Sequence, residues 1–64
     1  MPTDKQLIAF KIGARARKLA NEDCVIEGYE MLLTAISEAA ESDTELHALL
    51  KKELDKYEKR VEDL

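Results

Sequence analysis

The stretch GYEMLLTAISEAAES, residues 28–42, holds the tightest apolar cluster of the chain and opens on a glycine. Tyr29, Leu32, Leu33, Ile36 and Ala40 recur at the spacing of one helical face, with Ala35 and Ala39 small enough to admit a neighbouring helix. Met31 falls off the centre of that face, the place of an edge residue packed on a neighbour. Two starts are open to this helix. Beginning near Asp23, it would carry Gly28 in its interior, where glycine is disfavoured. Beginning at Gly28, it would use the glycine as an N-cap and place Glu30 in the first turn, at the positive end of the helix dipole. The second start is the expected one, with Val25 and Ile26 turned inward from a loop to close one end of the core.

Toward the N-terminus, Thr3 stands three residues before Gln6, the spacing of a capping box, and Asp4 follows where the dipole favours an anion. Leu7, Ile8, Ile12, Ala16 and Leu19 then form one apolar stripe, and Asn21 tolerates the left-handed conformation that closes helices. Gly13 within this helix would allow another backbone to approach. Phe10 lies off the stripe, either widening the buried face or exposed for a partner. Toward the C-terminus, Ser42 and Glu45 repeat the capping-box spacing, so a third helix begins around Asp43 and carries Leu46, Leu49 and Leu50.

The sequence therefore predicts an all-α three-helix bundle over about 4–20, 28–41 and 43–63, a single domain spanning 1–64. Its expected core is Leu7, Ile8, Ile12, Leu19, Ile26, Tyr29, Leu32, Leu33, Ile36, Leu46, Leu49 and Leu50. With no later glycine or proline, the third helix runs about 20 residues, or roughly 30 Å. It outlasts its partners, so its last turns are expected to need a further surface over Tyr57, Val61 and Leu64.

Sixty-four residues lie near the lower limit for a self-sufficient core, because a domain of this size buries only about 60% of its unfolded surface. Cys24 is the sole cysteine, which excludes an intramolecular disulfide and suits a reducing compartment. No basic segment followed by an apolar one opens the chain, and no apolar run approaches a membrane span of about 20 residues. The expectation is a freestanding cytoplasmic protein with no membrane association. A chain this small often completes its burial by pairing with another.

Charge is segregated along the chain. Residues 1–20 carry Lys5, Lys11, Arg15, Arg17 and Lys18 against Asp4 alone, residues 21–50 carry eight carboxylates and no Lys or Arg, and residues 51–64 balance. Attraction between the basic first segment and the acidic second would favour packing one on the other. Lys11, Arg15 and Lys18, at i, i+4 and i+7 with Phe10 beside them, also form a possible secondary binding stripe. Three cations on a protein of net charge −4, without aromatic interleaving, make a poor nucleic-acid footprint. A nucleic-acid-binding regulator using that stripe is the alternative reading.

Catalytic constellations are missing. The one histidine, His47, shares a helical face with Asp43 at i, i+4, which is half of a metal site and no more. No glycine-rich phosphate loop is present, so no enzyme activity, metal or other cofactor is expected. From His47 the positions 47, 50, 54, 57, 61 and 64 alternate steps of three and four, the seam of a coiled coil. His47, Leu54 and Val61 take the a positions, and Leu50, Tyr57 and Leu64 the d positions. An antiparallel dimer on this seam would match Glu53 with Arg60 and Lys51 with Glu58.

The run ARKLANEDCVIEGYEMLLTAISEA, residues 16–39, resembles one repeat of the N-terminal domain of Clp-type protein unfoldases. Ala16 and Ala20 match the alanine spacing of the repeat's first helix, and Glu30, Leu32, Leu33, Ala35 and Ile36 match its second. HALLKKELDKYEKRVEDL, residues 47–64, is similar to the closing helix. Tyr29 stands where that family usually has threonine or proline, Met31 where it has histidine, the loop is one residue short and no ATPase module follows. The resemblance implies a docking module for substrates or adaptors, and a lone repeat that pairs with itself. The functional expectation is a small protein-interaction module (adaptor, regulator or inhibitor) that occupies a partner's surface and forms a homodimer through its third helix.

Overall fold

Thr3 caps the first helix as the capping-box spacing predicts. Its hydroxyl accepts from the Gln6 N–H at 3.2 Å, and the Gln6 side chain accepts from the Thr3 N–H at 2.9 Å. The computed structural model describes residues 3–64 and runs this helix, α1, over Asp4–Asn21. The left-handed residue that closes it is Asp23, at φ 65°, rather than Asn21. Cys24 N–H donates to the Leu19 carbonyl at 2.8 Å and Asp23 N–H to the Ala20 carbonyl at 3.2 Å. These are the two bonds of a Schellman closure, with an aspartate where glycine is usual.

The second helix, α2, spans Val25–Ser42 and so starts three residues ahead of Gly28, contrary to the expected start. The closure of α1 consumes Glu22, Asp23 and Cys24, and the chain passes directly into the next helix. Gly28 is an interior residue, and its lack of a side chain is what the packing uses. A Cβ there would stand 2.7 Å from the Tyr57 hydroxyl and 2.8 Å from the Ala16 carbonyl oxygen. The helix penalty of glycine is thereby offset by a close meeting of three helices.

The third helix, α3, spans Thr44–Glu62, and a single residue separates it from α2. Asp43, in an extended conformation, closes α2 by donating its N–H to the Ala39 carbonyl at 2.7 Å. Its carboxylate then caps α3 by accepting the Leu46 N–H at 3.2 Å. The cap is Asp43 rather than Ser42, whose hydroxyl instead donates to the Glu38 carbonyl at 3.1 Å. Because α2 starts early, the helices have 18, 18 and 19 residues and the expected overhang of α3 is absent.

Each helix packs on both others, giving the all-α three-helix bundle. The contact line is made of small residues: Ala9, Gly13, Ala16 and Ala20 on α1, and Gly28 and Ala39 with Leu32 on α2. Against these, α3 buries Leu50, Glu53 and Tyr57. Two apolar clusters result, one around Ala16, Ala20, Leu32 and Tyr57, the other around Ala9, Ala39 and Leu50, with Ile12 packed on both. Met31 packs on the edge of the first, as its position off the helical face implied.

The expected core is corrected accordingly. Leu32 and Leu50 are buried, and Ile12, Leu19, Ile36, Leu46 and Leu49 are half-buried. Leu7, Ile8, Ile26, Tyr29 and Leu33 are exposed. Close approach on alanine and glycine rotates α1 and α2 so that most of their larger side chains flank the contact line, while α3 sets Leu50, Glu53 and Tyr57 into it. The Cα envelope measures 31 × 26 × 14 Å. Its thin dimension matches two helix layers, since axes 8–10 Å apart with Cα radii of about 2.3 Å give roughly 13–15 Å.

Candidate protein-interaction surfaces

The coiled-coil seam on α3 is divided by the fold. Leu50 and Tyr57, at d, are each only 1% exposed. The Tyr57 hydroxyl reaches across to donate to the Val25 carbonyl, and burial pushes its phenol above the ordinary value of 10.0. His47, Leu54 and Val61, at a, are half-buried at the edge of α3, and Leu64 is exposed. Glu53 is also inside: its carboxylate occupies the space left by Gly13, where a Cβ would overlap it. It pairs there with Arg17 at 3.0 Å and Lys56 at 3.1 Å. Arg60 turns instead to the Asn21 side chain at 3.0 Å. Lys51 and Glu58 remain exposed.

What the seam loses, the flank beside it gains. Val25, Ile26 and Tyr29 from α2 and Tyr57, Glu58, Val61 and Glu62 from α3 line an open groove of about 390 Å³. Tyr29 stacks on Tyr57 with ring centroids 6.4 Å apart and planes within 20°. Leu33, one turn beyond Tyr29, extends the apolar row. Ile26 is 74% exposed, Tyr29 40% and Leu33 41%. Apolar periodicity assigns Tyr29 and Leu33 to the core, and the expected late start of α2 turns Ile26 inward from a loop. The signal that places them outside is the line of small residues: Gly28, Ala35 and Ala39 share the spacing of Leu32, so the face they mark is the one that touches other helices.

A second groove, of about 440 Å³, runs between α1 and α3. Leu7, Ala9, Phe10 and Leu49 give it an apolar lining, joined by Gln6, Lys52, Glu53 and Lys56. The Arg17 guanidinium lies 5.8 Å from the centre of the Phe10 ring. Phe10 therefore belongs to this groove, with Arg17, and not to the stripe of Lys11, Arg15 and Lys18. Those three are exposed, and none is ion-paired to another described residue.

The attraction expected between the basic first segment and the acidic second is realised at one point. Lys5 reaches Asp43 at 3.1 Å and Glu45 at 3.2 Å. The Leu46 N–H and then the Lys5 ammonium hold the Asp43 carboxyl below its ordinary 3.8, and Asp43 with Glu45 raises the Lys5 amine. Asp43 is thus engaged as a cap and ion-pair partner beside His47. Among the described residues no group of three or more His, Cys, Asp and Glu side chains is arranged to hold a metal. No helix among them is long and apolar enough to cross a membrane. Comparison of the chain with protein families, with curated proteins and with solved structures yields no match.

Proposed function

We propose that this chain is a protein-interaction module, an adaptor, regulator or inhibitor that occupies a partner's surface, and that it pairs with itself through the open face of α2 and α3. The observation that carries this reading is the row Ile26, Tyr29 and Leu33, three large apolar side chains at i, i+3 and i+7. They stand in water on a helix whose other side is already buried. Single exposed apolar residues are ordinary on a monomer, whereas a contiguous row bordered by charges marks a contact surface.

The shape of the molecule supports the same reading. Its accessible surface is 4640 Å², above the roughly 4,200 Å² typical of a folded monomer of its mass. Glu58 lines the groove between α2 and α3, and Lys51 is exposed two turns earlier on α3. An antiparallel two-fold sets Lys51 of one protomer against Glu58 of its partner, and the reverse contact follows by symmetry. Such exposed pairs select orientation, while affinity comes from the apolar row. The resemblance to a Clp-type repeat implies docking and pairing as well.

Sedimentation equilibrium over a range of concentrations tests the pairing. The wild-type chain is expected to dimerise, and Ile26→Glu with Leu33→Glu to give a folded monomer. A wild type that stays monomeric throughout would overturn this assignment, as would a doubly substituted chain that still dimerises.

A further inference from the structure

We infer that the groove between α1 and α3 is a second docking surface, one that takes an acidic amphipathic helix of a partner protein. Its floor is apolar and open: Phe10 is 53% exposed and Leu7 41%, with half-buried Leu49 between the two helices. Lys52 and Lys56 on α3 line the groove, and Arg17 lies beside it against the Phe10 ring. The single carboxylate there, Glu53, is buried and already neutralised by Arg17 and Lys56. Three cations against one buried anion leave a positive rim on a chain whose net charge is −4.

The occupant follows from these features. Both walls are helices whose backbone groups are satisfied internally, so a partner must be held by side chains set into the groove. Apolar anchors at i, i+3, i+4 and i+7 of a helix meet that requirement. Carboxylates flanking the anchors meet Arg17, Lys52 and Lys56, whereas a basic segment would be repelled. A nucleic-acid backbone would satisfy the cations and leave Leu7 and Phe10 in water. This surface lies apart from the α2/α3 face, so the two stand or fall separately.

The probe is a synthetic helical peptide with Leu and Phe at i, i+3, i+4 and i+7 and Glu at the positions between, titrated into the isotope-labelled full chain and followed by amide NMR. Two controls are the same peptide with Lys for Glu, and vesicles of phosphatidylcholine with phosphatidylserine. The acidic peptide is expected to shift the signals of Leu7, Phe10 and Leu49 and to bind less tightly as salt rises. Lys52→Glu and Phe10→Ser, both at exposed positions, should each weaken it about tenfold while leaving the helical circular dichroism unchanged. Equal binding of the lysine peptide, binding of the vesicles alone, or no shift at the groove residues would overturn the inference. So would a change in the sedimentation of the free chain on Lys52→Glu, because the occupant would then be a second copy.

Discussion

Tyr57 donates its hydroxyl to the first turn of α2 while its ring lies between Tyr29 and the small residues of α1, and Gly28 is the notch that admits it. Alanine in place of an exposed mid-helix glycine is worth up to about 1 kcal/mol of extra stability. At Gly28 the sign should reverse. The added methyl meets the Ala16 backbone, which cannot swing aside, and overpacking of this kind costs about 1–3 kcal/mol. Urea unfolding of Gly28→Ala measures it, and a variant as stable as the wild type would show that the three helices do not meet there. Tyr57→Phe should cost about 1 kcal/mol by leaving the Val25 carbonyl short of a donor. It should also change the alkaline limb. Burial raises the folded phenol above 10.0, so its stabilisation is complete below that pH and is lost as pH climbs toward the raised value. The phenylalanine variant should lack this component of the alkaline loss.

At the scale of the elements, Asp43 is both the end of α2 and the cap of α3, with Lys5 bridging to it from α1. Its carboxyl is held below 3.8, so the stability it gives is present above that pH and is lost as pH falls through the lowered value. Melting followed by circular dichroism should show a lower midpoint at neutral pH for Asp43→Ala and a smaller acid loss. Asp43→Asn, which keeps an accepting oxygen for the Leu46 N–H, should fall between that variant and the wild type. Helix number, helix type and the N-cap of α1 were legible because polar cap spacing and apolar period are local signals. The boundary at Gly28 was not, because its cause is the Tyr57 side chain 29 positions away and the Schellman turn at Asp23. The Ser42 and Glu45 spacing was misleading for a related reason. Its neighbour Asp43 is an equally good cap, and only the one-residue joint between helices selects it.

For the molecule as a whole, the line of contact was the feature hardest to read. Hydrophobic periodicity weights Leu33 and Tyr29 above Gly28 and Ala39, so it centres each buried face on the largest residues. Here α1 and α2 meet their neighbours mainly on small residues, and five of their large side chains expected inside stand exposed. The proposed surfaces are partly legible in the sequence, since the α3 seam contains Val61 and Phe10 lies off the α1 stripe. Their composition depends on the rotation of α2, which brings Ile26 and Tyr29 to the groove beside α3 and leaves Leu33 exposed one turn further on. Leu32 and Leu33 are adjacent, chemically identical and assigned opposite roles, so truncating each tests that rotation most directly. Thermal melting of dilute Leu32→Ala and Leu33→Ala should separate them widely. The first is expected to lose about 2–5 kcal/mol, enough to unfold much of a domain whose total is about 5 kcal/mol. The second should melt within a few degrees of the wild type while losing self-association. Unfolding of Leu33→Ala, with Leu32→Ala spared, would contradict the packing described here.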